Sequence, residues 1–485
     1  MQIQEKHKIK LCFFDDYYID FRQNAFRRWF TPELKSVYEY GYHSSLAYST
    51  MYYVPELKEY RFWYEILPNP LNDHQRYLAV ARSDNGIDFT PINLHPEKQE
   101  AYRNILFDGN GAVYYDRFET DPARKFKFSG VTNSMSFPTE AKIPIFIEFS
   151  SDGIHFTADN SHVAHPYTSD ALNSVYYNPY DEKYYLSHRA AFVDRRVALR
   201  STQDFKTWSD PEIIFHPTSL DNDNMLQLQF YSMWADYMDG IFYGTLWRYH
   251  TDMTTPYYKG LNTKLDAGKM FGFMDCELVY SYDGKHFLRT GSAIKDRPQA
   301  PENGCWQLTF SSITTSADGK EYILSANGGK NVHGTSANNK KTIDLLGSPK
   351  GTKQFYKIRK DGFCGIEGIS EGSQVITKAV ELLSDDITFN INASTGFAKA
   401  CFMDENGNAY DGFSYDDCIP FHGNDTDVTF HFKEHGMAEL AGRRIRIGVR
   451  LDCATLHAIS MHARPFIRAI QESFSNPLQI QEFIP

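Results

Sequence analysis

Asp108, Asp170, Asp221, Asp223 and Glu302 each stand a few residues ahead of an aromatic, β-rich run, with Asn110, Asn173, Gln229, Asn303, Trp306 and Gln307 close by. Carboxylates gathered by a fold raise one another's pKa and separate into a protonated acid and an ionised base. Such a set therefore has the makings of a general acid–base site. His43 precedes a further run of the same kind, with no carboxylate beside it. Taken singly, an Asp before a strand is a turn former more often than a catalyst, so the argument rests on whether the fold makes these residues converge.

A repeat shows how they would. Ser83-Asp84-Asn85-Gly86-Ile87-Asp88-Phe89 returns as Ser150-Ser151-Asp152-Gly153-Ile154-His155-Phe156 and as Ser281-Tyr282-Asp283-Gly284-Lys285-His286-Phe287. Ser201 to Trp208 reads as a variant with one extra residue. Each copy follows a β-rich run and supplies a tight turn with an aromatic anchoring the next strand. Between the copies lie paired strands, so each unit is a four-stranded sheet, and five such units predict a five-bladed β-propeller. Its inner strands would carry the polar residues above to one mouth of the channel. Only short stretches such as 437–441 could hold a helical turn.

Beyond Gly368 the strands alternate strictly, as at 387–392, 428–432 and 444–451, which reads as a β-sandwich. The expected division is a propeller over 1–368 and a β-sandwich over 369–485, at the glycines 365, 368 and 372. The excess of Phe (36), Tyr (32) and Trp (6), 15% of the 485 residues, supports this all-β class.

A net charge of -11 without a long basic run argues against a nucleic-acid partner, and no apolar stretch is long enough for a membrane helix. The first residues lack a signal-peptide apolar region, so the protein is expected to be cytoplasmic, or exported with a signal peptide absent from this sequence. The seven scattered cysteines form no Cys-x-x-Cys pair and are expected to be buried reduced thiols. No zinc, phosphate-loop or nucleophile-elbow motif occurs. No metal or other cofactor is expected; a structural calcium would suit the Asp and Asn near the axis, although no ligand spacing identifies one. The sequence leaves the oligomeric state open.

The five turn-marked blades followed by a sandwich resemble the five-bladed propeller glycosidases of glycoside hydrolase families 32 and 43. More narrowly, Phe14-Asp15-Asp16-Tyr17-Tyr18-Ile19-Asp20, the stretch Arg200 to Trp208 and the run Gly396 to Gly442 are similar to a little-characterised bacterial branch that opens Asp-Asp-Tyr-Leu-Ile-Glu. Where characterised family 32 enzymes carry Trp-Met-Asn-Asp-Pro-Asn, this chain reads Gly41-Tyr42-His43-Ser44-Ser45-Leu46, and it lacks their Arg-Asp-Pro. Fructan specificity is therefore not implied.

The resemblance implies cleavage of glycosidic bonds, which needs two carboxylates flanking the bond. Glu302 is the candidate acid, since Pro301 and Trp306 would desolvate it, and Asp170 and Asp108 are the candidate bases. His43, Asn110, Asn173, Asp223, Tyr231, Trp306, Gln307 and His333 are candidates for binding a carbohydrate substrate. Trp234 and Trp247 could stack on sugar faces, although packing between blades is the commoner role. Arg189 and Arg248 could meet an anionic sugar, although pairing with neighbouring acids is commoner. Asp15 and Asp16 would lie at the seam closing the ring or in the mouth. Two alternatives stay open: a non-catalytic carbohydrate-binding propeller and a glycoside phosphorylase.

Overall fold

The computed structural model describes residues 5–38, 48–66, 76–132, 144–157, 160–165, 171–190, 195–219, 221, 228–250, 273–296, 307–329, 351–370 and 372–465. The chain divides into two compact units, Thr31–Lys360 and a second made of Met1–Phe30 with Asp361–Pro485.

Five four-stranded antiparallel meanders make up the first unit. Blade one is Ser49–Val54, Glu59–Ile66, Tyr77–Ser83 and Thr90–Pro91, and blade two is Ile105–Tyr115, Phe126–Thr132, Ile145–Ser150 and Val163–His165. Blade three is Ser174–Asn178, Lys183–Arg189, Val197–Thr202 and Glu212–Phe215; blade four is Leu228–Tyr237, Phe242–His250, Phe273–Ser281 and Leu288–Ala293. Blade five takes Gln307–Thr315, Glu321–Gly329 and Gly351–Arg359 and is completed by Glu33–Tyr38, which pairs with Gly351–Arg359.

The first strands of the blades form a ring. The Val113 N–H donates to Thr50 Oγ1 (3.0 Å), the Tyr177 N–H to Tyr114 OH (3.3 Å), the Leu172 N–H to Ser232 Oγ (2.9 Å) and the Met51 N–H to Ser312 Oγ (3.0 Å). Trp247 Nε1 of blade four donates to the Phe310 carbonyl of blade five (2.7 Å), which closes the circuit.

The repeated turn explains how blades register on one another. Ser150 Oγ accepts the Gly153 N–H (3.0 Å), and Asp152 Oδ1 accepts the N–H groups of Ile154 (2.9 Å) and His155 (2.8 Å). The Gly153 carbonyl then accepts Trp63 Nε1 from blade one (2.7 Å). In blade four the Gly284 carbonyl likewise accepts Tyr176 OH from blade three (2.8 Å). The blade-three turn has no extra residue. Thr202 Oγ1 accepts the Phe205 N–H (2.9 Å) and Asp204 Oδ1 those of Lys206 and Thr207, so Phe205 stands where the other copies have glycine, at φ +60.

In the second unit one sheet folds over a single core. Its longest strand, Val380–Met403, pairs along 387–392 with Ala454–Pro465 and along 398–403 with Arg444–Asp452. Alternate residues of both halves, Ile387, Phe389 and Ile391 with Ala398, Ala400 and Phe402, enter the same apolar cluster, the two-layer arrangement of a β-sandwich. Met437–Leu440 is the expected helical turn, of 3-10 form.

The unit boundary departs from the expected 368/369 division. Lys8–Cys12 pairs with Ala454–Pro465, Ile19–Gln23 with Gln374–Thr377, and Ala25–Trp29 with Cys364–Gly368. Leu11, Phe13 and Ala25 bury themselves with Ile366 and Leu456, so apolar burial draws the N-terminal arm into the sandwich. Lys10 forms a buried ion pair there with Asp361 (3.0 Å). Asp15 and Asp16 accordingly belong to this second unit. Asp15 Oδ1 caps the Tyr17 N–H (2.8 Å) and Asp16 pairs with Arg27. Of the described cysteines, five are buried free thiols and Cys453 is exposed.

Candidate functional site

In every blade the first strand starts where the second ends and the third begins, so these ends share one mouth of the propeller. Asp108 and Asn110 lie in the first strand of blade two, Asn173 one residue before that of blade three, Tyr231 within that of blade four, and Gln307 opens that of blade five. Asp108 pairs in register with Tyr77 and Gln307 with Met274, stitching blade one to two and four to five at this mouth. His43, Asp170, Asp223, Glu302, Trp306 and His333 lie outside the described residues.

Register shifts interrupt the first strands of blades four and five within their own blades. The first strand of blade four shifts between Phe230 and Ser232, and that of blade five between Phe310 and Ser312. A bulge re-aims the side chain at its centre. Tyr231 is thereby stacked beside Trp247 (centroids 6.3 Å apart), and Ser311 Oγ meets Ser49 Oγ of blade one (2.7 Å).

Half-buried Asp108 enters a cleft of about 470 Å³ with Tyr77, His95, Lys98, Gln99 and Tyr102. The Tyr77 and Tyr102 rings meet edge to face at 6.1 Å. Burial, and then the Asp108 charge, raises the Tyr77 phenol above its ordinary pKa. Two aromatic rings beside a carboxylate, an amide and an ammonium suit a ligand with flat apolar faces and a hydroxyl rim.

Further along the strands, blade five meets blade one through buried polar groups. Ser312 and Ser325 bond at 2.7 Å, and Lys353 Nζ donates to Asn327 Oδ1 (2.5 Å). Burial pushes the Lys353 ammonium down to about 7, against the nearby Glu65 charge, which holds it up. Glu65, itself fully buried, meets Arg76 Nη1 at 3.1 Å. Below this layer Trp234 Nε1 of blade four donates to Tyr52 OH of blade one (3.3 Å). Those blades are not neighbours in the ring, so the contact crosses the axis. Burial, then the charge of Asp236, drives the Tyr52 and Tyr114 phenols well above their usual range. Asp236 is raised to about 7 by burial, with Arg117 opposing.

Several candidates have structural roles. Trp234 and Trp247 are fully buried between blades and are packing residues. Arg248 forms a two-pronged pair with Asp275 (2.7 and 2.9 Å), and Asp221 braces Arg289 (2.7 Å). Asn173 Nδ2 donates to the Ala171 carbonyl (3.1 Å), and its own carbonyl accepts Ser129 Oγ (2.6 Å). Glu65, Lys353 and Asp236 escaped the sequence reading. The signal was there in an isolated charge within an apolar run, as in Phe62-Trp63-Tyr64-Glu65-Ile66.

No family model matches the sequence, and no curated protein matches it. Solved structures do match. An N-acetylgalactosamine deacetylase from F. plautii in complex with blood group B trisaccharide is 11% identical over 70% of this chain and 97% of its own, at a TM-score of 0.44. A fructofuranosidase from Schwanniomyces occidentalis complexed with fructosylnystose is 11% identical over 90% of this chain and 98% of its own, at 0.41. A thermostable family-43 glycoside hydrolase is 13% identical over 68% and 96%, at 0.39. The propeller assignment rests on the strand pairing itself.

Proposed function

We propose that this protein is a glycoside hydrolase whose carboxylates work at the mouth where the five first strands begin. The observation that carries the reading is Asp108, a carboxylate in an aromatic-walled, polar cleft at that mouth. A sugar offers the flat faces and hydroxyls this lining fits, and glycosidic cleavage uses a carboxylate pair. Glu302 and Asp170 remain the proposed acid and base. The first precedes the blade-five strand at Gln307 by five residues and the second precedes the blade-three strand at Ser174 by four.

The test is turnover of a panel of aryl glycosides by the wild type and by Asp108→Asn, Asp170→Asn and Glu302→Gln. Hydrolysis that falls in the variants while folding is kept supports the reading. Sugar binding without turnover replaces it with the carbohydrate-binding propeller, and turnover that requires phosphate replaces it with the phosphorylase.

A further inference from the structure

At the same mouth, between blades three and four, two guanidinium groups gather on one buried ring. Arg189 ends the second strand of blade three and Arg195 leads into the third. Their guanidinium carbons lie 4.4 and 5.2 Å from the centroid of the Tyr231 ring, hence within about 10 Å of each other. Arg195 is also 5.1 Å from the Tyr249 centroid, and its Nη1 donates to Gln229 Oε1 (2.7 Å). Nearby half-buried arginines are neutralised: Arg248 takes Asp275 and Arg289 takes Glu277 and Asp221. Among the described residues no carboxylate pairs with Arg195, and its buried Nε has no acceptor.

Aromatic faces and an amide oxygen hold a guanidinium in place without cancelling its charge. The bulge at Tyr231 supplies the central ring.

We propose that Arg195, with Arg189 and the Tyr231 ring, forms an oxyanion subsite of the mouth that receives the carboxylate of an acidic sugar. The planar fork of Arg195 can meet both oxygens of a carboxylate. The proposal rests on the carbohydrate reading above and narrows it to substrates with a negatively charged group. Inorganic phosphate offers the same oxyanion chemistry, so it is the second arm of the test.

Titration calorimetry with glucuronate, glucose, galacturonate, galactose and inorganic phosphate needs no turnover. Each uronate is expected to bind at least tenfold more tightly than its neutral counterpart. In Arg195→Gln that ratio should fall to within threefold of one, with circular dichroism confirming the fold. A wild-type salt series gives the same information without a variant, since the preference should shrink at least threefold from 50 to 500 mM NaCl, on the order expected for a screened charge contact. Equal affinities for uronate and neutral sugar, or a preference that survives in Arg195→Gln, would overturn the proposal. Phosphate binding that depends on Arg195, without uronate preference, would replace the acidic sugar by phosphate as the anion. Neutral-sugar turnover without uronate preference would sink the subsite alone. Uronate binding without turnover on any glycoside would keep the subsite and remove the hydrolase reading.

Discussion

Asp236 titrates near 7 because burial strips its carboxylate of water and Arg117 restores only part of the loss. The folded pKa stands above the ordinary 3.8, so the native state holds an extra proton between about 4 and 7 and stability falls as pH rises through that window. The full effect, reached above pH 7, is at most about 4 kcal/mol. Asp236→Asn keeps an oxygen for the Tyr237 N–H (2.8 Å) and is expected to raise Tm at pH 8 and flatten its decline from pH 4 to 7. An unaltered pH profile would contradict this. His188 acts with the opposite sign. Burial lowers it to about 3, so its contribution is present above the ordinary 6.5 and lost as pH falls toward 3. For catalysis, Glu302→Gln should lower kcat by roughly 10²–10⁴-fold, and less on aryl glycosides whose leaving group needs no protonation. Asp108→Asn should lower turnover on every glycoside, measured at equal fold content. Asp108 was legible because its position relative to a strand start could be read from spacing. Asp236, Glu65 and Lys353 were not, because their setting is made by residues from other blades.

Among the elements, the turns were the most legible, since Ser-x-Asp-Gly chemistry is local. What they touch was not. A Cβ on Gly153 would lie 2.7 Å from Trp63 Cζ2, and its φ of +72 already disfavours any side chain. Gly153→Ala should therefore destabilise the propeller by about 2–4 kcal/mol, read by denaturant unfolding. Phe205 occupies the corresponding place with a ring packed 5.3 Å from Phe149 and 4.4 Å from Tyr184. Phe205→Gly relieves the backbone but loses these contacts, so a net loss of about 2 kcal/mol is expected in the same measurement. Neither bulge was foreseen, because a single extra residue leaves no mark in strands buried on both faces, such as Leu228–Tyr237.

At the scale of the whole molecule, the blade count and a seam closed by the N-terminal segment followed from the sequence, whereas the strand that closes it and the pairing of residues 8–29 with the second unit did not. Glu33–Tyr38 finds its partner more than 300 residues away, and no local pattern marks such a pairing. Replacing 33–38 by Gly and Ser of equal length removes the outer strand of blade five and leaves Gly351–Arg359 as an open edge. Lower Tm and concentration-dependent aggregation are expected, measured by calorimetry and light scattering; an unchanged Tm would mean that the strand is dispensable. The same arm has a consequence during synthesis. Lys8–Cys12 and Glu33–Tyr38 leave the ribosome long before their partners at 458–462 and 353–357. At about 5–20 residues per second the earlier strand waits roughly 20–90 s and the later one roughly 15–65 s. Neither unit can be completed until these later partners arrive, so the nascent chain carries two unpaired strands for tens of seconds and depends on whatever shelters them meanwhile.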